Sequence, residues 1–352
     1  MKPLAILFFA LNLAAPAAPE APEGMVFIPG GTYQRGNEVK LPGRAQYPEE
    51  GPVHEVEISP FFIDTHEVTN AQFAAFVKDT GYETQAERGW SRKDFPQAPP
   101  EALEPGALVF TPPKEEVGLW QPGSEWQWWQ FTKGANWRHP QGPGSDIKDK
   151  MDHPVVCVTY EDARAYAKWA GKRLPTEAEW ERAARGGKEQ ELYLWGKEMK
   201  PGDQWLANVF TGTFPSDDTA EDGFAGTAPV KSFPANPYGL HDMAGNVWEI
   251  CSDLFRPDTY ARFLKNPEKD PQGPKPGLAI NQPMLQFHQQ NGTWPGPTYP
   301  KPHPLSVLHV TRGGSHLCHT TYCQRYRPAA RHYAESLAPA NHTGFRCAKS
   351  LD

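Results

Sequence analysis

Apolar and polar positions alternate along residues 53–63 (VHEVEISPFFI), the two-residue period of a half-buried strand. Residues 25–33 (MVFIPGGTY) predict a strand followed by a Gly-Gly turn. Three short helices carry start and stop signals. Thr69 with Gln72 forms a capping box, Phe73, Phe76 and Val77 an apolar stripe, and Gly81 a stop. Thr159 with Asp162 opens the second helix, with Ala163, Tyr166, Ala167 and Ala170 on one face and Gly171 at its end. Thr176 with Glu179 opens the third, in which Trp180, Ala183 and Ala184 dock before Gly186-Gly187. The small alanine faces imply close packing against another element. Residues 91–127 and 256–305 lack periodicity and exceed the usual length of a connection, so they read as surface insertions.

Composition narrows the class. The 38 Pro and 31 Gly make up about a fifth of the 352 residues, which forbids a bundle of long helices. The 12 Trp, 12 Tyr and 18 Phe supply ample surface for burial, which excludes a disordered chain. A net charge of −7 without a basic run argues against nucleic-acid binding. Met1-Lys2, the apolar stretch Leu4 to Ala15 and the small residues Ala15-Pro16-Ala17 read as a signal peptide over 1–17. Residues 18–24 then form a linker and 25–352 one domain, expected to be exported, free of the membrane after cleavage, and monomeric.

Two segments collect oxygen ligands. Residues 242–249 (DMAGNVWE) place Asp242 and Glu249 around a Gly245-Asn246 bend. Asn208-Val209 is followed by Asp217, Asp218, Glu221 and Asp222 in a Gly-flanked loop. Calcium takes 6–8 oxygens, many from backbone carbonyls, so either segment is a calcium candidate or a solvated acidic turn. A third segment, residues 311–331 (TRGGSHLCHTTYCQRYRPAAR), sets Cys318 and Cys323 in a C-x4-C arrangement. Two thiolates select soft metals, above all Cu(I), and neighbouring Arg325, Arg327 and Arg331 favour the thiolate. By spacing alone the pair equally suits a structural disulfide, half of a zinc site with two histidines, or two inert thiols.

Beyond these residues the chain resembles the formylglycine-generating enzymes of the sulfatase-modifying factor family, over residues 25–255 and 308–349. The segments GANWRHP, EDGFAGTAPV and RGGSHLCHTTYC carry the resemblance most specifically, beside GKRLPTEAEWE and NVWE, which the whole superfamily shares. It implies an irregular α+β, C-type-lectin-like fold. It implies an oxidase that converts a cysteine in a C-x-P-x-R stretch of an unfolded sulfatase to Cα-formylglycine, using O2 and a copper ion held by Cys318 and Cys323. Ser315, Trp248 and Tyr322 match residues lining the oxygen side of that pocket, and His319 its mouth. Asn208, Val209, Asp222 and Phe224 match one structural calcium site; Asp242, Gly245, Val247 and Glu249 match the other. Val209, Phe224, Gly245 and Val247 would act through carbonyls. Ala167, Ala184 and Pro328 stand where disulfide-bearing members have cysteines, so Cys157 and Cys347 are expected to be buried thiols. The competing reading is a non-catalytic lectin-like binding module on the same fold.

Overall fold

The computed structural model describes residues 19–38, 41, 47–93, 95–96, 98–119, 121, 123–262, 268–275 and 307–351. The expected signal peptide at 1–17 and most of the second insertion lie outside them. The chain runs through β1 (Met25–Ile28), β2 (Gly31–Arg35), β3 (His54–Ile58) and β4 (Phe61–Asp64) into α1 (Asn70–Thr80) and the single turn α2 (Gln85–Arg88). A hairpin of β5 (Gly106–Phe110) and β6 (Trp129–Lys133) precedes α3 (Tyr160–Trp169) and α4 (Glu177–Arg185). Then come β7 (Gly212–Thr213), β8 (Asp217–Asp218), β9 (Trp248–Leu254), β10 (Glu268–Lys269), β11 (Leu308–Arg312), β12 (His332–Glu335), β13 (Thr343–Gly344) and β14 (Ala348–Ser350). The strands form small sheets, ordered β1-β4-β14, β10-β3-β2 and β12-β11-β9-β13, with two hairpins. The result is a mixed α+β fold whose connections outweigh its regular elements.

The three helices form where their caps require. Thr69 accepts the Gln72 N–H at 3.2 Å while the Gln72 side chain accepts the Thr69 N–H at 2.9 Å. The same reciprocal box opens α3 and α4. Phe73 and Phe76 bury against Tyr166 of α3 and Phe345, and α4 packs against β2, β3, β9 and β11.

Two expectations need correction. Residues 53–63 are two strands, because Ser59-Pro60 interrupts the ladder: Pro60 has no N–H to donate. β3 pairs with β2, whereas β4 pairs with β1 and β14. The first insertion is also not without structure, since β5 lies inside it and pairs along its length with β6. The described part of the second insertion returns to the body, where β10 adds to β3 and Asp270 accepts from the Ser59 N–H and hydroxyl. Cys157 and Cys347 are buried thiols as expected, and so is Cys251. Asn341 is buried, with its side-chain oxygen accepting the Phe110 N–H at 3.1 Å.

At the centre lies an ion network without solvent contact. Glu177 accepts from Arg312 at 2.9 Å and from Arg331 at 2.6 and 2.8 Å, and Arg35 stands 2.7 Å away. Glu181 accepts from Arg312 and Arg185, each at 2.7 Å. Tyr260 lies beneath Arg331 and Arg35, at 4.3 and 4.6 Å. Burial alone would raise the pKa of Glu177, but the guanidinium charges overcome it and hold the carboxyl well below the usual range. Replacing Glu177 by Gln leaves three arginines undercompensated and should cost about 3–5 kcal/mol in denaturant unfolding. A loss below about 1 kcal/mol would contradict this account.

Asp253 makes the opposite contribution. Burial, reinforced by the charge of Glu177, raises it from 3.8 to about 7. Its folded state therefore favours the protonated form, so the stability it lends is present below pH 3.8 and is lost as pH rises through about 7. Glu181, held at about 2 by Arg185, Arg312 and Arg35 against burial, lends stability that is lost only as pH falls from 4.5 toward 2. Asp253→Asn should thus flatten the decline in stability between about pH 4 and 7 and leave the acid limb in place. An unaltered decline in urea titrations across that range would show that Asp253 does not titrate as described.

Candidate active site

The segment joining β11 to β12 begins with Gly313-Gly314, both at positive φ. A Cβ on Gly314 would fall 2.9 Å from the Arg325 and Tyr326 backbone, so only glycine lets the two arms of the loop approach. Ser315 follows, fully buried; its carbonyl accepts the Cys318 N–H at 2.9 Å and its hydroxyl oxygen accepts the Leu317 N–H at 3.2 Å. The His319 carbonyl then accepts the N–H groups of Tyr322 and Cys323 at 3.1 and 3.0 Å. These turns bring Cys318 and Cys323 to a Cα separation of 4.8 Å, with their sulfurs joined. Cys318 and Cys323 thus stand within direct reach of each other, as a disulfide and a shared soft metal both require.

The surroundings are apolar. Ala207, Val209, Ala244, Trp248 and Tyr326 pack with the two cysteines, and Tyr322 lies against them. Trp248 is buried on β9, with its ring 5.3 Å from His332. Tyr322 stacks on Phe214 at 4.6 Å and meets Trp128 edge-on at 5.6 Å. Trp128, Phe210, Phe214 and Leu317 form a second buried group, on which Phe110, Val117, Leu119 and Trp129 pack. The first insertion therefore builds one wall of the site. His319 is half-buried at the rim, its Nδ1 facing the Thr321 hydroxyl at 2.8 Å. Burial lowers His316 to about 4 and His342 to about 3, so both neighbouring imidazoles are neutral at pH 7.

The oxygen-ligand segments converge beside the pair. Gly245 donates to the Gly313 carbonyl at 2.9 Å, and Asn246 donates to the Asn208 carbonyl at 2.9 Å. A Cβ on Gly245 would sit 2.0 Å from that same carbonyl oxygen. Phe210 donates to the Cys318 carbonyl at 3.2 Å, so residues 208–210, 245–246 and 313–318 are laced together. The Asp222 carboxylate accepts the Val209 N–H at 2.8 Å and the Phe224 N–H at 3.0 Å. Asn208 is buried, and among the described residues its Oδ1 receives no hydrogen bond. This first cluster offers a buried amide oxygen and a half-buried carboxylate oriented by neighbouring N–H groups, donor types that a hard cation uses.

The second cluster fits less simply. Glu249 is fully buried, but Arg346 binds both its oxygens at 2.6 and 2.7 Å, and the Trp180 indole donates to one at 2.7 Å. Asp242 accepts the Lys231 N–H at 2.7 Å, while Gly245 and Val247 continue the turn between the two carboxylates. Glu67, which the sequence reading passed over, is fully buried beside them with Oε1 lacking a donor. Burial, then Asp242 and Glu249, raise its pKa well above the usual range. Three carboxyl groups thus gather around the single Arg346 guanidinium, and burial with mutual repulsion favours the protonated form of Glu67. Among the described residues, no group of three or more His, Cys, Asp or Glu is placed to hold a metal ion, so any cation here would depend on amide and carbonyl oxygens as well.

Comparison with known proteins agrees with this geometry. The family model of the sulfatase-modifying factor enzyme 1-like domain matches residues 11–351. A protein of Thermomonospora curvata named formylglycine-generating enzyme is 46% identical over 94% of both chains. A protein of Bos taurus named inactive Cα-formylglycine-generating enzyme 2 is 45% identical, over 66% of this chain and 71% of its own. Among solved structures, PvdO from Pseudomonas aeruginosa shares the fold with a TM-score of 0.56 at 24% identity, covering 93% of this chain and 94% of that one. The chain belongs to the sulfatase-modifying factor family, that of the formylglycine-generating enzymes.

Proposed function

We propose that the protein modifies sulfatases, and that it does so by converting a cysteine in a C-x-P-x-R stretch of an unfolded sulfatase to Cα-formylglycine: O2 and two thiols of an external reductant are consumed, and hydrogen sulfide, water and a disulfide are released. The observation that carries this reading is the pair Cys318 and Cys323, buried and joined in an aromatic pocket of a chain 46% identical to a named formylglycine-generating enzyme. Reduction of the disulfide leaves two thiols facing each other, a donor set suited to Cu(I). When bound there, copper supplies the one-electron chemistry with O2 that side chains lack.

The chain's own residues orient and exclude water. Trp248 and Tyr322 close the apolar side of the pair, and Ser315 sets the turn that presents Cys318. The half-buried Tyr322 and Trp129, which pack on the buried Trp128, Phe210 and Phe214, would offer aromatic surface to a proline near the reacting cysteine. An extended peptide suits such a surface because it offers backbone groups and one small apolar ring. Two calcium ions would brace the loops through Asn208, Val209, Asp222 and Phe224, and through Asp242, Gly245, Val247 and Glu249 with Glu67 nearby. The leader at 1–17 supports export. Among the described residues no helix is long and apolar enough to cross a membrane.

The relative named inactive keeps a second reading in play, a non-catalytic peptide-binding module. Reduced, copper-loaded protein incubated with a C-x-P-x-R peptide, O2 and a thiol reductant decides between them. Aldehyde should form on the cysteine peptide, not on its serine analogue, and should fall sharply when Pro or Arg becomes Ala. Cys318→Ser and Cys323→Ser should each abolish it. Peptide binding without aldehyde would establish the binding module instead.

Calcium is tested separately. At a hundredfold excess over its dissociation constant, a bound ion adds about 2.7 kcal/mol, so chelation should lower the melting temperature by several degrees. Asp222→Asn should remove part of that difference. Identical melting with calcium and with chelator would rule out both sites.

A further inference from the structure

Two of the four backbone polar groups of the cysteine pair are satisfied by their own loop: the Cys318 N–H by the Ser315 carbonyl and the Cys323 N–H by the His319 carbonyl. The Cys318 carbonyl is held by the Phe210 N–H. The Cys323 carbonyl takes its donor from the other end of the chain, the Tyr47 hydroxyl at 3.1 Å. Tyr47 opens a short strap that continues in the 3-10 turn Pro48–Glu50. Glu49 pairs with Arg325 at 2.9 Å, and Glu50 binds Arg327 at 2.7 Å, both carboxylates being buried. Arg325 and Arg327 also lie over the Tyr47 ring, at 4.3 and 5.4 Å. The Asn37 N–H, just beyond β2, donates to the Glu50 carbonyl at 2.9 Å and anchors the strap to the body.

The division of labour within the strap is clear from chemistry. Glu49 and Glu50 fix residues 325 and 327, two and four positions beyond the second cysteine. The Tyr47 hydroxyl acts on Cys323 itself and so constrains where that sulfur stands relative to Cys318. We infer that Tyr47 is a positioning residue for Cys323, setting the effective concentration of the two thiols for each other. The inference rests on the reading of Cys318 and Cys323 as the reactive pair.

Tyr47→Phe removes one hydroxyl and keeps the ring beneath Arg325. The measurement is the equilibrium of the pair with glutathione: two protein thiols and one glutathione disulfide give the protein disulfide and two glutathione thiols, with both forms quantified by mass. Loss of one net hydrogen bond should lower that equilibrium constant about three- to tenfold, and should weaken Cu(I) against a chromophoric chelator in the same proportion. Tyr33→Phe is the control, because the Tyr33 hydroxyl also donates to a buried backbone carbonyl, that of Ala178 at 2.8 Å, outside the cysteine loop. A shift in Tyr47→Phe with none in Tyr33→Phe supports the inference. No shift in Tyr47→Phe, or equal shifts in both, overturns it. The glutathione equilibrium needs neither copper nor peptide. Failure of the wild type to bind copper or form aldehyde would therefore sink the functional reading while leaving this test valid.

Discussion

Glu177 is the group on which the remainder of the structure depends. Arg312 stands immediately before the Gly-Gly turn that opens the cysteine loop, and Arg331 immediately before β12, which closes it. Both are bound to the one carboxylate at the start of α4, and Arg35 at the end of β2 is the third cation upon it. A charge taken out of water is costly unless it is paired and hydrogen-bonded, so each member of this network holds the others in place. The loop between the two arginines contains no long helix or strand of its own. Its two ends are fixed by ion pairs, and its middle by backbone hydrogen bonds to residues 208–210 and 245–246. The network does not have to maximise stability to serve this purpose, because hydrophobic replacements of buried ion pairs can be equally stable. What it does provide is one geometry for the two arms.

The same logic, with the sign reversed, applies next to the cysteines. Around Arg346 the buried carboxylates outnumber the cation, as Glu67, Asp242 and Glu249 gather there while Arg346 spans both oxygens of Glu249. Around Glu177 the guanidinium groups are in excess. Guanidinium groups thus outnumber carboxylates at one place in the interior and carboxyl groups outnumber the guanidinium at another, where burial favours protonation of Glu67, and the apolar cluster of Cys318 and Cys323 lies in the loop system that connects them.

Much of this was legible in the sequence where the signal is local. The capping boxes at Thr69, Thr159 and Thr176 predicted the three helices because each box is closed within four residues. The C-x4-C spacing by itself left the pair open between a disulfide, a metal site and two separate thiols, and the turns that bring the two together become visible only in the fold. The break at Ser59-Pro60 was missed because the apolar run Phe61-Phe62-Ile63 follows the alternating stretch directly, although the two halves belong to different sheets. β5 was missed because its partner β6 lies beyond the Pro- and Glu-rich stretch that hides it. Glu67, Tyr47 and the wall residue Trp128 left no local trace: each acquires its role from residues far along the chain, 276 positions away for Tyr47 and Cys323. Aromatic density at residues 126–129 and the Tyr-Pro-Glu-Glu run at 47–50 were the available hints.

The claim that an ion network, rather than regular structure, orders the cysteine loop is open to direct measurement. Amide hydrogen exchange in Glu177→Gln under native conditions reports protection segment by segment. The account predicts that protection falls first across residues 313–331, while β1, β4 and β14, which pair with one another, retain theirs. Unchanged protection across 313–331, or a uniform loss over the whole chain, would contradict it.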